Sequence, residues 1–151
     1  CEIAAWAKDQ GKTLYDLLLD IYKEYGFQKE AAISVTKPGK SGADEIKKMM
    51  EDFRATPPTE IAGSKVVCVK DYKSLKQYAD GKESALDMPT TANVLQWFTE
   101  DGMKISVRPS GTEPKIKFYC EVPVAGFDGN YEDASAKADA RIADIKKSLG
   151  L

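Results

Sequence analysis

Three apolar–polar alternations follow one another closely between residues 93 and 122 ("NVLQWF", "MKISV", "KIKFYCEV"), and a helical period closes the chain behind them. Alternation with a period of two marks half-buried strands, and strands spaced this closely pair as neighbours. The first two runs are joined by "TEDG", a hairpin signal. On the third, Ile116, Phe118, Cys120 and Val122 share the inward face, and Lys115, Lys117, Tyr119 and Glu121 share the other. Tyr131, Ala134, Ala138, Ile142, Ile145 and Leu149 fall on one face of the closing helix, which Gly150 ends. Upstream, "KVVCV" reads as a further buried strand. Before it comes a helix capped by Ser41 with Asp44, its inward face Ile46, Met49, Met50 and Phe53. From about residue 41 the order is α, β, a long polar connection ("DYKSLKQYADGKESALDMPTTA"), β, β, β, α. That order predicts an α+β layer: a mainly antiparallel four-stranded sheet with helices packed on one face.

The amino-terminal part does not belong to that pattern. "TLYDLLLDIYKEYG" predicts a helix with Leu14, Leu17, Leu18, Ile21, Tyr22 and Tyr25 on one face. Thr13 with Asp16 makes a capping-box start, and Gly26 supplies the stop. A short extended piece, "AAISV", precedes the break at "TKPGKSG". The expected division is therefore 1–37, the helical end of a preceding domain with its linker, and 38–151, a second domain. Opening on Cys1 rather than Met points to a piece of a longer chain.

Composition removes several classes of function. A net charge of −2 and a pI near 5.3 argue against a general binder of nucleic acid or membrane surfaces. No apolar run approaches the roughly 18 residues of a membrane span, and "CEIAAWAKDQ" lacks the anatomy of a signal peptide. The three cysteines show no CxxC spacing and suit free thiols in a cytoplasmic protein. There is no histidine, so no Ser–His or Cys–His pair and no His-ligated zinc. The carboxylates sit at helix starts or on solvated helix faces, without a DxDxD-type cluster for magnesium. Trp6, Trp97 and Phe98 stand in apolar patterns and are expected in the core. "PGKSG" resembles the end of a phosphate loop, but Ser34 stands where that motif needs glycine, and Pro38 removes a backbone donor. A linker running into a helix is the plainer reading.

One stretch remains, "RPSGTEPKIKFY" at 108–119. Pro109 and Pro114 stiffen the loop, and Gly111 is expected to take a left-handed turn that aims successive N–H groups inward. Ser110 and Thr112 add hydroxyl donors, and Arg108 offers a planar fork that fits phosphate. From Lys104 to Lys117 four basic residues (Lys104, Arg108, Lys115, Lys117) face one acid, Glu113. Lys117 shares a strand face from which it can lean over the loop, and Tyr119 reads as a solvent-facing strand tyrosine able to flank a site. A phosphate cradle and a plain turn with incidental charge both fit these residues.

At this loop the sequence resembles the α-D-phosphohexomutase superfamily, the phosphoglucomutases and phosphomannomutases. "RPSGTEPKIKFY" is similar to the phosphate-binding loop of their fourth, carboxy-terminal domain, and "AAWAKDQGKTLYDLLLDIYKEYG" resembles the helical end of their third. The resemblance implies intramolecular phosphotransfer on a sugar phosphate by domains not encoded in these 151 residues. A phosphoserine on the first domain and magnesium on the second would do the chemistry. Here, Arg108, Ser110, Gly111, Thr112 and Lys117 would hold the phosphate that does not react, with neither a catalytic residue nor a metal ligand. Lys117 stands where many members carry arginine. Glucose, mannose, glucosamine and pentose phosphates stay open as substrates, glucose phosphate being preferred. A free-standing phosphosugar-binding module and a phosphopentomutase-type member are the alternatives.

Overall fold

The computed structural model describes residues 1–39 and 41–151. Lys40, the lysine of the phosphate-loop-like "PGKSG", lies outside them. Two helices come first, α1 (Glu2–Asp9) and α2 (Leu14–Tyr25). The Thr13–Asp16 capping box forms as expected: the Asp16 amide donates to Thr13 Oγ1 at 3.1 Å, and the Thr13 amide to Asp16 Oδ2 at 2.8 Å. The apolar face of α2, however, is not buried. Leu14, Leu18, Ile21 and Tyr25 are 37 to 77 % exposed, and Trp6 of α1, expected in a core, is 57 % exposed. Periodicity identifies an apolar face but not what covers it. Tyr22 reaches the rest of the molecule, its ring edge-on to Phe27 (4.9 Å) and Phe127 (5.7 Å), and Tyr15 lies edge-on to Tyr131 at 6.4 Å.

After Gly26 come β1 (Phe27–Thr36), α3 (Gly42–Ala55), β2 (Glu60–Ile61), β3 (Ser64–Asp71), β4 (Lys76–Ala79), β5 (Lys82–Ala85), β6 (Leu95–Thr99), β7 (Lys104–Pro109), β8 (Lys115–Val124) and α4 (Tyr131–Ser148). The class is α+β and the pairing antiparallel throughout, but the sheet has eight strands, not four. Its order is β1-β8-β7-β6-β3-β4-β5, with β2 beside β3. The four expected strands are β3, β6, β7 and β8. Of the additions, β2, β4 and β5 came from segments without apolar alternation, and β1 grew out of the extended piece "AAISV". β4 and β5 form a hairpin inside the long polar connection, turned by Asp80 (φ 52°) and Gly81 (φ 71°). This is an Asp-Gly pair of the type that closes two-residue hairpins. β1 pairs with β8 over ten positions, Phe27↔Val124 to Thr36↔Lys115. It alternates in burial although Lys29 points inward, where its ammonium donates to Ser135 Oγ at 2.8 Å and Asp139 Oδ2 at 2.6 Å.

The inward residues of β6, β7 and β8 form one cluster with Ile46 and Met50 of α3 and Ala138, Ile142 and Ile145 of α4. Burial, opposed by the charge of Lys146, pushes the Cys120 thiol in that cluster up to about 11, which leaves it inert. Phe98, expected in the core, lies on the opposite face beneath Lys70, whose ammonium is 5.1 Å from the ring centroid. Ser41 does not cap α3: its backbone is helical (φ −80°, ψ −14°) and its hydroxyl donates to Glu45 at 3.3 Å. The helix starts where two backbone segments cross, since a Cβ on Gly42 would lie 2.0 Å from the Lys37 carbonyl oxygen.

The β6–β7 turn is tied to both neighbouring layers by Asp101. It accepts from Thr99 Oγ1 (2.5 Å) and Ser64 Oγ (2.7 Å) and pairs with Arg141 of α4. Partial burial raises this carboxyl, but the bonds from Thr99, Ser64 and Arg141 outweigh it and hold it at about 2, below the ordinary 3.8. A depressed folded pKa gives stability that is full above the unfolded value and lost as pH falls through the folded one. After discounting for solvent, the loss between pH near 4 and pH near 2 is about 1–2 kcal/mol. Urea denaturation across that range is expected to show the wild type and Asp101→Asn converging as the pH drops. Parallel curves would remove Asp101 from the account.

Candidate functional site

β7 and β8 are paired up to Pro109↔Ile116, and residues 110–114 connect them. The Ser110 amide donates to the Lys115 carbonyl at 2.7 Å, and the Lys37 amide to the Pro114 carbonyl at 2.9 Å, so the loop is tied to the exit of β1. Ser110 Oγ accepts from the amides of Thr112 (3.4 Å) and Glu113 (3.3 Å), a serine turn that organises the loop from within.

Gly111 departs from expectation. Nine other glycines have positive φ, but Gly111 does not, and a Cβ added to it meets nothing within 4 Å. Conformational necessity therefore does not explain glycine here. The loop gets its shape from the Ser110 hydroxyl and the two prolines instead.

Beside the loop lies a recess of about 190 Å³ lined by Arg108, Pro109, Ser110, Gly111, Lys117 and Tyr119. Four of the five residues expected to hold phosphate thus line one space; Thr112 is exposed and outside its lining. Tyr119, read from the sequence as a strand tyrosine able to flank a site, is part of the wall.

The electrostatics are sharper than a local tally of charges. Lys115 pairs with Glu113 at 3.2 Å and Lys104 pairs with Glu121, which removes two of the four cations. Arg108 and Lys117 stand directly opposite each other across β7 and β8, and neither has an ion-pair partner among the described residues. Like charges in facing positions destabilise a sheet, and an anion in the recess would reverse the sign of that interaction. On the far side of the loop, Arg54 is already committed: its Nε donates to Asp71 at 3.2 Å and its Nη2 to Asn93 Oδ1 at 2.6 Å. Among the described residues no three His, Cys, Asp or Glu come together as a metal site. No helix described is long and apolar enough to cross a membrane.

Residues 30–126 match the phosphoglucomutase/phosphomannomutase C-terminal domain family. The chain belongs to that family. Among curated relatives of this phosphoglucomutase/phosphomannomutase C-terminal domain, a phosphoglucomutase of Staphylococcus haemolyticus (strain JCSC1435) is 39% identical over 128 residues, 83% of this chain and 23% of that protein. A phosphoglucomutase of Staphylococcus aureus (strain MRSA252) is 38% identical over 141 residues, 92% of this chain and 24% of that protein. Among solved structures, the open form of pp63/parafusin, a phosphoglucomutase from Paramecium, superposes with a TM-score of 0.52. That superposition covers 91% of this chain and 23% of the other at 14% identity, a likeness of fold. The chain spans about a quarter of the length of the curated relatives it matches.

Proposed function

We propose that this domain grips the phosphate that is not transferred in a phosphoglucomutase-type isomerase and closes the cleft over the sugar phosphate. The observation that carries this reading is the facing pair Arg108 and Lys117, two cations without carboxylates, set beside a stiff hydroxyl-bearing loop. Arg108 supplies a fork for two phosphate oxygens, Lys117 a point charge, and Ser110, Gly111 and Thr112 the remaining donors. Held at one end, the substrate is positioned for phosphoryl transfer performed by residues outside this chain. Any magnesium of the whole enzyme belongs with those residues. Glucose phosphate is the preferred substrate, in keeping with the relatives' names, and the compartment is the cytoplasm.

The partner of the exposed helical face belongs to the same reading. Ile3, Trp6, Leu14, Leu18, Ile21 and Tyr25 form an apolar surface. Relatives four times as long have the chain to cover it, as the remainder of the same polypeptide. We place the division of the chain at Gly26, because a line at 37/38 would part β1 from β8.

Two-dimensional NMR of the 151-residue chain with added inorganic phosphate tests the grip. The amides of Ser110, Gly111 and Thr112 are expected to shift first, with the effect fading as salt shortens the screening length below about 10 Å. Shifts centred on Gly39 to Gly42, or none, would overturn the reading. Mutase turnover by the purified chain would overturn the assignment of chemistry to other domains.

A further inference from the structure

We propose that Gly42, at the start of α3, is a positioning residue for the phosphate loop, acting through the backbone of Lys37; this rests on the phosphate reading above. The glycine on which the loop depends is then not Gly111 but one in a different element. Gly42 is buried and its φ is not positive, so space and not conformation asks for glycine there. A Cβ on it would overlap both the oxygen and the carbon of the Lys37 carbonyl group. That group is backbone and cannot swing aside as the end of a side chain does.

Lys37 holds the loop with its other backbone group. Its amide donates to the Pro114 carbonyl at 2.9 Å. The N–H of that same peptide unit, belonging to Lys115, donates to the Glu113 carbonyl at 2.7 Å. The Lys115 carbonyl then accepts from the Ser110 amide at 2.7 Å, and the Ser110 hydroxyl accepts from the amides of Thr112 and Glu113. From Gly42 to Ser110 the path is backbone throughout. No change of rotamer can absorb a displacement along it.

A methyl group at position 42 has two ways to find room. If Lys37 yields, the Pro114–Lys115 peptide follows it or loses its hydrogen bond. If α3 yields instead, it carries Ile46 and Met50, which wall a recess of about 210 Å³ behind the loop together with Pro109, Ser110 and Pro114. Both Ile46 and Met50 are buried in the core, so the helix cannot back away from the sheet without opening it. Either way the displacement arrives at Pro109, Ser110 and Pro114, the residues that shape the phosphate loop. Alanine is otherwise the better helix former, so a loss of phosphate binding would not originate in the helix itself.

The test is NMR titration of the 151-residue chain and its variants with inorganic phosphate. Gly42→Ala is expected to raise the Kd roughly 5- to 10-fold, about what one hydrogen bond is worth once its geometry is spoiled. Ile142→Val loosens the core from α4, away from the crossing, and is expected to leave the affinity unchanged. That contrast separates positioning from a general loss of stability. Hydrogen exchange at the Lys37 amide is the second readout: phosphate is expected to slow it in the wild type, and Gly42→Ala to quicken it. Wild-type affinity in Gly42→Ala, an equal loss in Ile142→Val, or a Lys37 amide indifferent to phosphate overturns the role and leaves the phosphate grip standing. If Gly42→Ala does not fold, exchange in the wild type decides alone. No shift at residues 110–112 of the wild type means that the grip itself has failed and this role with it.

Discussion

Replacing Arg108 by alanine is expected to raise the KM of the full-length enzyme for its sugar phosphate by roughly 10- to 100-fold with little change in kcat, the loss of about 1.5–3 kcal/mol of charge-assisted hydrogen bonding to a group that does not react. The fold is expected to survive. Arg108 is exposed and faces Lys117, so its removal relieves a repulsion instead of breaking a contact. Arg108→Lys keeps the charge but loses the fork, and belongs between the two. Gly111→Ala serves as the contrast: its backbone is not left-handed and its surroundings are open, so a small effect is expected. Phosphate titration and thermal melting on the same samples separate binding from folding. Wild-type affinity in Arg108→Ala would remove the central element of the site.

Trp97→Ala is expected to cost about 3–5 kcal/mol of folding stability, a fifth or more of the roughly 5–15 kcal/mol that a domain of this kind has. Trp97 is fully buried in β6, with Phe53 edge-on at 5.0 Å and that same ring 6.1 Å from Phe118. It is the largest of the fully buried side chains among the described residues. Its indole nitrogen, however, is buried without an acceptor among the described residues. An unmade hydrogen bond of that kind subtracts about 1–3 kcal/mol from what the ring contributes. Trp97→Phe is therefore expected to cost well under half as much as the alanine variant, because it gives up volume but also removes the stranded donor. Urea unfolding with both variants decides the matter. An alanine variant within 1 kcal/mol of wild type would mean that the packing of the inward face has been misread.

The sequence carried the centre of the fold openly and its margins poorly. β6, β7, β8 and α4 were legible because one side of each is buried and the other wet, which writes a period of two or 3.6 into the residues. The "TEDG" turn was legible too, with Gly102 at φ 86° and the Thr99 hydroxyl accepting from the Met103 amide at 3.0 Å. The β4–β5 hairpin had no such face; its only trace was the pair Asp80-Gly81. At the candidate site, residue types singled out Arg108, Ser110, Gly111 and Lys117, which line one recess. The charge that matters was not legible, because the pairing of Lys104 with Glu121 is set by strand register across a turn rather than by neighbourhood in sequence.

The ten-position pairing of β1 with β8 gives the sheet two very different margins. At one, β5 is four residues long, fully exposed and studded with Lys82 and Glu83, a blunt end that offers little to another chain. At the other, the protection of β8 is supplied entirely by a strand that follows directly on the helical region. Without it, a ten-residue ribbon rich in β-branched and aromatic side chains would present a full row of unsatisfied amides and carbonyls, the template on which unrelated copies join edge to edge. The strand that bears Lys117 and Tyr119 thus lies inside the sheet and not at its edge because residues preceding α3 cover it, and the edge passes to β1.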